Sequence, residues 1–182
     1  MLAKLENSIL VVVDMQPKFL DGIHHRDKIV ERVKFIIETA RLLEVPVIAT
    51  EQNPDRMGKT DESIAALIDK QALGKMTFSC WDFEPFSSAL DGFDRHQVVM
   101  VGIETHICIS QTAHHLLANG FEPVVCTDAV SARAKDRHRI GVKRLRDAGV
   151  TIAHTESIAY EWMGSADHHK FRDVLKLVKQ YP

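Results

Sequence analysis

The sequence predicts an α/β fold, a three-layer α/β/α arrangement around a mostly parallel, Rossmann-like central sheet of about six strands. Short β-branched apolar runs alternate with longer stretches of helical period, which is typical of parallel strands joined by crossover helices. Residues 9–13 are apolar at every position, as a strand covered on both faces requires. The 182 residues fit one buried core and contain no repeat or linker, so we expect a single domain over residues 1–182.

Each element of that fold has its own signal in the chain. Strands are predicted from β-branched apolar runs at residues 9–13, 47–50, 76–78, 97–101, 123–126 and 150–153. Helices are predicted from apolar spacings typical of one helical face at residues 29–43, 63–68, 86–90, 105–119, 135–148 and 168–179. Residues 51–61 are polar and turn-rich and are predicted to form a loop, while Gly120 and Gly149 are placed to end helices.

Composition argues against several classes of function. The formal net charge is −2 and the charged residues are spread along the chain, so we expect no nucleic acid partner. No apolar run approaches the roughly 20 residues that cross a bilayer, and no secretory signal precedes the first strand, so we expect a cytoplasmic protein. Cys80, Cys108 and Cys126 show neither CxxC nor zinc-type spacing and are expected to be free thiols in a reducing compartment.

Polar residues at the carboxyl ends of the strands are the first candidates for a site, because ligands bind at that edge of an open parallel sheet. Asp14 directly follows residues 9–13, and Cys108 lies beyond Gly102 at the start of a predicted helix. A helix start stabilises thiolate over thiol, which makes Cys108 a candidate nucleophile. Taken alone, each residue has a plainer interpretation: Cys108 as a small buried residue, Asp14 as a helix cap, and Lys75 as a solvated side chain.

Three separated motifs change that balance. Residues 12–16 read Val-Val-Asp-Met-Gln, residues 74–79 read Gly-Lys-Met-Thr-Phe-Ser, and residues 102–108 read Gly-Ile-Glu-Thr-His-Ile-Cys. In this order they resemble the motifs of the isochorismatase-like cysteine hydrolases, a family that includes nicotinamidases and related amidases. The resemblance spans essentially the whole chain and implies the family's α/β fold and a cysteine-dependent hydrolase activity.

The resemblance implies a role for each matching residue. Cys108 is the nucleophile, Asp14 is the general base that takes its proton, and Lys75 is the cation that holds both in their reactive forms. The backbone N–H groups of Glu104 and Cys108 form the oxyanion hole beside a cis peptide between Ile103 and Glu104. A thiol with an ordinary pKa of about 8.5 is mostly protonated at neutral pH, so an adjacent base and cation suit this chemistry.

Pocket residues are harder to assign, because loops form the walls of such a site. Substrate-binding candidates in the segments that border it are Gln16, Phe19, Gln52, Phe78 and Ile107, although packing or solvation would explain each equally well. Thr105 is expected to cap the helix with its hydroxyl. His106 could position Glu104 or line the pocket, and Trp162 could reach a neighbouring subunit's site or be buried in its own subunit.

Departures from the family narrow the expected chemistry. Nicotinamidases carry an Asp-x-His pair and a further histidine after the second strand, whereas residues 51–56 here read Glu-Gln-Asn-Pro-Asp-Arg. We therefore expect neither a metal nor another cofactor. The remaining histidines occur largely as adjacent pairs, whose side chains diverge on a helix. True isochorismatases usually lack the cysteine, so its presence argues against vinyl ether cleavage.

These observations predict a cysteine hydrolase of the metal-free branch of this family. It would act on a small molecule, at an amide or related C–N bond, through a covalent acyl-enzyme on Cys108. The alternative is a non-catalytic or thiol-reactive oligomeric binding protein that retains the hydrolase fold. The resemblance also implies a homo-oligomer, a dimer or larger, and no membrane partner is expected.

Overall fold

The computed structural model describes residues 1–181 and contains a six-stranded sheet in which every neighbouring pair of strands is parallel. The strand order is β3-β2-β1-β4-β5-β6. The strands are β1 (Ser8–Val13), β2 (Val47–Gln52), β3 (Leu73–Lys75), β4 (Gln97–Ile103), β5 (Glu122–Ser131) and β6 (Thr151–Ala153). The predicted parallel sheet of about six strands is confirmed.

Helices connect the strands and cover both faces of the sheet. They are α1 (Pro17–Leu20), α2 (Arg26–Leu42), α3 (Pro54–Met57), α4 (Glu62–Ala65), α5 (Glu84–Asp91), α6 (Ser110–Ala118), α7 (Lys135–Asp147), α8 (Thr155–Met163) and α9 (Phe171–Gln180). A 3₁₀ turn (Leu5–Asn7) precedes β1, and a π-helical turn (Thr105–Ile109) joins β4 to α6. The predicted α/β/α layering is therefore confirmed as well.

Strand β1 lies in the interior of the sheet and is buried along its whole length. Because successive side chains of a strand point to opposite faces, β1 supplies two hydrophobic cores. Leu10 and Val12 pack in the core that also contains residues of α2, α8 and α9, whereas Ile9, Val11 and Val13 pack in the core formed with α5, α6 and α7. The continuous apolar run in the sequence is explained by this double coverage.

The strand order reverses direction at β1, which places a crevice at one edge of the sheet. The chain moves from β1 through β2 to β3 on one side and then returns to β4 on the other side of β1. In open parallel sheets, ligands bind beyond the carboxyl ends of the strands at such a switch point. Asp14 follows β1, and Cys108 lies in the π-helical turn after β4, so both residues flank this crevice.

The predicted strand at residues 76–78 is wrong, because the observed β3 ends at Lys75. After Lys75 the backbone carbonyls of Met76, Thr77 and Phe78 accept hydrogen bonds from side chains of Gln52 and Lys75, and they make no strand ladder. The side chains of Met76 and Phe78 are 69% and 57% exposed. The apolar alternation in this segment therefore does not indicate burial, and the side chain that enters the core is that of Lys75.

Other boundaries differ less. The predicted loop at residues 51–61 contains the end of β2 and the short helix α3, and the predicted helix at residues 105–119 begins as the π-helical turn. Strand β4 extends two residues beyond its predicted end at residue 101, through Gly102 to Ile103. Helix α8 was not predicted. Within residues 1–181, no helix combines the length and the apolar composition that a bilayer span requires.

Candidate active site

The fold brings together three side chains that are far apart in the sequence. The Lys75 ammonium Nζ lies 2.8 Å from Asp14 Oδ2 and 3.9 Å from Cys108 Sγ. Asp14 and Lys75 are almost fully buried, and Cys108 is 7% exposed. An acid, a cation and a sulfur thus meet at the carboxyl edge of the sheet.

Asp14 is held by its backbone conformation and by the neighbouring strand. It follows β1 with a positive φ of 52°, an uncommon conformation for an aspartate, and its N–H donates to the Thr50 carbonyl of β2 at 3.1 Å. The Thr50 hydroxyl donates to Asp14 Oδ1 at 2.8 Å, so each carboxylate oxygen has its own donor, Thr50 on one side and Lys75 on the other. The carboxylate is therefore fixed rather than mobile.

The Lys75 ammonium is surrounded by oxygen atoms. In addition to Asp14, it donates to Gln52 Oε1 at 2.7 Å and to the carbonyls of Thr77 and Phe78 at 3.1 and 3.3 Å. An ammonium has three protons, so these four oxygens saturate it and leave the sulfur of Cys108 as an electrostatic neighbour. A buried charge is tolerated only when it is paired and hydrogen-bonded in this way.

Gln52 contacts the ammonium directly, and Gln16 holds Gln52 in place. The Gln52 side chain accepts from Lys75 through Oε1 and donates through Nε2 to the Met76 carbonyl at 2.9 Å. These partners of opposite polarity fix which way its amide points. Gln16 is fully buried; its Nε2 donates to the carbonyls of Gln52 and Gly58 at 3.1 and 2.6 Å, and its Oε1 accepts from the Gln52 N–H at 2.7 Å.

The backbone between β4 and Cys108 has an unusual geometry. The Ile103–Glu104 peptide bond is cis, and Gly102 has φ 111°. A Cβ atom on Gly102 would lie 2.7 Å from the Val13 nitrogen, so β1 and β4 come together here more closely than a side chain allows. The Glu104 carbonyl accepts from the N–H groups of Ile107 and Ile109 at 3.0 and 3.3 Å, on either side of Cys108.

The ionisation of the site follows from burial and from these pairings. Burial raises the pKa of the Cys108 thiol, the Asp14 carboxylate raises it further, and the Lys75 ammonium lowers it without cancelling the other effects. Burial lowers the pKa of Lys75, but Asp14 and the nearby thiols raise it above its ordinary value of 10.5 in total. At neutral pH the site therefore holds an ammonium and a neutral thiol. This differs from the thiolate expected at a helix start, because the carboxylate and burial outweigh the cation.

Glu104 and Thr105 make contacts that the sequence did not indicate, whereas His106 lies near Glu104 and does not line the cavity above Cys108. Glu104 accepts from the N–H and the guanidinium of Arg133, with Nε at 3.1 Å from Oε1. The expected Thr105 cap is wrong, since its hydroxyl bonds His138 Nδ1 at 3.0 Å and makes no cap interaction. His106 Nδ1 lies 4.0 Å from Glu104 Oε2 and, among the described residues, has no hydrogen-bond partner.

A cavity of about 80 Å³ opens above the sulfur. Its walls contain the sequence candidates Phe19, Gln52, Phe78 and Ile107. The other lining residues are Asp14, Ile103, Glu104 and Cys108. Gln16 does not line the cavity and instead supports Gln52 from behind.

Trp162 and Thr50 lie at opposite ends of the central strands. Trp162 is 2% exposed, and its indole N–H donates to the Ser8 hydroxyl at the opposite end of β1 from Asp14, so it is buried in its own chain. Thr50 was missed by the sequence analysis. Its register opposite Val13, the residue before Asp14, brings it to the carboxylate, and the local sequence carries no signal of that register.

The remaining features near the sheet do not form a second site of this kind. A larger groove of about 1070 Å³ lies between the C-terminal parts of α2 and α9, near the start of β2 and away from Asp14. After β2, the Glu51 carboxylate accepts from the N–H and hydroxyl of Thr60 at 2.7 and 2.9 Å. Within residues 1–181, no group of three His, Cys, Asp or Glu side chains is arranged to hold a metal ion.

Comparison with known proteins shows the family to which the chain belongs. Mouse isochorismatase domain-containing protein 2A is 33% identical over 177 residues, which cover 96% of this chain and 84% of the relative. The structure of MAR1 ribonuclease from Caenorhabditis elegans superposes with a TM-score of 0.92 at 31% identity, covering 98% of this chain and 93% of the other. Escherichia coli YcaC, described as an octameric hydrolase of unknown specificity, has a TM-score of 0.87 at 20% identity, with 100% and 96% covered. Since residues 8–157 also match the Isochorismatase domain profile, the chain belongs to the isochorismatase family.

Proposed function

We propose that this protein is a cysteine hydrolase that cleaves an amide or related C–N bond of a small molecule. The observation that carries the proposal is the position of the Lys75 ammonium, 2.8 Å from Asp14 and 3.9 Å from Cys108, at the base of a small cavity. A base, a nucleophile and a cation within reach of one bound carbonyl are the parts that acyl transfer needs.

In the first half of the reaction, Cys108 Sγ attacks the substrate carbonyl and its proton passes to Asp14. A general base is needed because the thiol, whose pKa burial and Asp14 raise, is protonated at neutral pH. The N–H groups of Glu104 and Cys108 would stabilise the oxyanion. As the C–N bond breaks, Asp14 returns the proton to the leaving amine, and a thioester to Cys108 remains.

In the second half, water replaces the amine. Asp14 takes a proton from the water, whose oxygen attacks the thioester carbonyl, and the C–S bond breaks. The proton then passes from Asp14 to the departing sulfur, which restores the thiol and the carboxylate. Lys75 stays an ammonium throughout, because its pKa lies above its ordinary value and oxygens occupy its protons. It offsets the negative charge that moves between Asp14 and Cys108.

Intact-mass spectrometry tests this proposal directly. The protein is incubated with a panel of small amides, carbamoyl compounds and esters, and each sample is examined for product and for an acyl adduct. We expect turnover with a subset of the panel and an adduct that maps to Cys108. Cys108→Ala should abolish both. Cys126→Ala is the matched control, because Cys126 is a fully buried thiol within β5, and it should retain both.

A negative result in the same experiment would contradict the hydrolase proposal. If no member of the panel gives product or adduct while a small alkylating reagent still modifies Cys108, the hydrolase proposal fails. The thiol-reactive binding protein would then be the better interpretation.

RNA is the substrate that the name of the C. elegans relative suggests. The charges here favour the small molecule instead, since the residues that line the cavity include two acids, Asp14 and Glu104, and no basic residue, and the whole chain carries a net charge of −2. A phosphate backbone is bound by basic side chains. Single-stranded RNA added to the panel should therefore remain intact, and cleavage that is lost in Cys108→Ala would favour the nuclease.

We also infer self-association, since the E. coli relative with this fold is described as octameric. Light scattering coupled to gel filtration should give a mass above the 20.5 kDa of one chain. A mass equal to one chain at micromolar concentration would contradict this inference.

A further inference from the structure

The volume of the cavity limits the acyl group that it can hold. An engineered apolar cavity of about 150 Å³ takes up a benzene ring. The cavity above Cys108 measures about 80 Å³, roughly half of that volume. An acyl group of a few non-hydrogen atoms therefore fits beside the sulfur, whereas an aromatic ring would have to extend out of the open side of the cavity.

The walls of the cavity are mostly apolar. Phe19, Phe78, Ile103 and Ile107 provide most of its surface. Such walls favour uncharged groups, because an ion that leaves water for an apolar site loses far more hydration energy than it regains there.

The polar groups that reach the cavity offer no free cation to an anionic substrate. Of the lining residues, Asp14 and Glu104 carry carboxylates and Gln52 carries an amide. The nearest ammonium, Lys75, is saturated by four oxygens, and the Arg133 guanidinium is turned onto Glu104 at 3.1 Å. Both positive charges are thus committed to internal partners.

From size, wall chemistry and charge together, we infer that the pocket selects compact, uncharged acyl groups and discriminates against carboxylates of the same size. The inference rests on the proposed function, because it specifies the substrate class of that site. It concerns binding next to the Cys108 sulfur, so it can be tested without any hydrolysis.

Two alkylating reagents of nearly equal size provide the test. Iodoacetamide is neutral and iodoacetate is an anion, and both modify a thiolate at the same kind of carbon. Their rates at Cys108 are measured by peptide mass spectrometry at about pH 8.5, near the ordinary thiol pKa. The ratio of the two rates is then divided by the ratio for 2-mercaptoethanol. We expect Cys108 to prefer iodoacetamide by at least about tenfold after this correction, as a difference of about 1.4 kcal/mol would produce.

A pair of arginine variants separates the pocket from the general charge of the surface. Phe78 lines the cavity and is 57% exposed, whereas Met76 is 69% exposed and does not line it. Phe78→Arg should lower the preference for iodoacetamide at least threefold, because it adds a free cation at the wall. Met76→Arg should leave the preference unchanged within twofold, and Phe78→Gln controls for loss of the ring.

The outcomes distinguish this inference from the proposed function. A corrected ratio near one, or an equal response to Phe78→Arg and Met76→Arg, would overturn the inference even if small amides are hydrolysed. A strong preference for iodoacetamide in a protein that hydrolyses nothing would support the pocket's selectivity and remove the hydrolase proposal.

Discussion

Two buried ion pairs lie in different parts of the fold, and they use similar side chains for different purposes. In the candidate active site, Lys75 meets Asp14 at 2.8 Å, with side chains 0% and 3% exposed. In the other part, Arg32 of α2 meets Asp128 of β5 at 3.0 Å, with side chains 6% and 8% exposed. By burial and distance alone, the two pairs are nearly equivalent.

The partners of Arg32 show that its pair is structural. Its guanidinium also donates to the Thr155 hydroxyl at 2.6 Å and to the Tyr181 carbonyl at 2.6 Å, and Asp128 accepts from the Thr155 N–H at 2.9 Å. These bonds tie α2 and β5 to the start of α8 and to the chain's C-terminal end.

The difference between the two pairs is the neighbour that each one keeps. Asp14 and Lys75 lie beside a thiol and a cavity, whereas Arg32 and Asp128 are surrounded by backbone and hydroxyl partners and by the His154 imidazole, 3.3 Å from Asp128. A buried ion pair therefore does not indicate function by itself. An adjacent nucleophile and space for a substrate are the additional evidence.

Aspartate-to-asparagine changes should separate the two pairs most strongly. Asp14→Asn removes the general base and should lower turnover by about 10²–10⁴-fold. Because the Asp14 carboxylate raises the pKa of Cys108, the variant should have a lower thiol pKa, and alkylation by iodoacetamide at neutral pH should become faster. Loss of turnover together with a more reactive thiol is the expected signature.

Asp128→Asn is the matched control, measured by the same turnover and alkylation profiles. Both should stay within about twofold of the parent, since Asp128 belongs to the other ion pair. Slower alkylation in Asp14→Asn would contradict the role of the carboxylate.

Removing the cation of either ion pair should lower the free energy of unfolding, but only the loss of Lys75 should change the reactivity of Cys108. Lys75→Met leaves the buried Asp14 carboxylate without a cation, which costs about 3–5 kcal/mol of unfolding free energy. Arg32→Met should cost less, because His154 Nε2 remains 3.3 Å from Asp128 Oδ2. Lys75 lowers the pKa of Cys108, so its loss should move the alkylation profile of Cys108 to higher pH. Urea denaturation and alkylation at several pH values measure the two effects. An unchanged pH profile of Cys108 alkylation in Lys75→Met, or a shifted one in Arg32→Met, would contradict the distinction between the two ion pairs.

The smallest effect is expected for a single hydroxyl. Thr50→Val keeps the shape of the side chain but removes the donor to Asp14 Oδ1, and a hydrogen bond to a charged group contributes about 1.5–3 kcal/mol. We expect roughly tenfold lower turnover, with the Michaelis constant nearly unchanged. Thr39→Val provides the control, because Thr39 is a fully buried threonine of α2 whose hydroxyl donates to the Phe35 carbonyl. If both valine variants lower turnover equally, Thr50 has only a packing role.

How far the sequence predicts the site differs among its residues. Asp14 directly follows a buried strand and Cys108 lies in the first turn after another, so the rule that ligands bind at the carboxyl edge made both of them candidates, and the family resemblance then gave them roles. Lys75 has no such signal, because a lone lysine is usually solvated, and it was selected only by family resemblance. Thr50 and the Arg133 contact to Glu104 depend on register and loop conformation, which local sequence does not determine.

The elements of the fold also differ in how well the sequence predicts them. Long periodic elements such as α2 and α7 were predicted to within a few residues, since their burial follows from spacing alone. The strand predicted after β3 was wrong, because the side chains of Lys75 and Gln52 donate to the backbone carbonyls of this segment. Arg32 carried a missed signal, since it lies within the apolar stripe of α2 between Ile29 and Val33.

The close approach of β1 and β4 at Gly102 has a consequence for anyone who alters this protein. The carboxylate follows one of these strands and the sulfur follows the other, so their separation is set by main-chain packing at a point with no room even for a methyl group. Libraries that seek new ligands can vary apolar wall residues such as Phe19 and Ile107, but position 102 has to be left as it is. Any larger residue there would push apart the strands that carry Asp14 and Cys108 before a ligand is encountered.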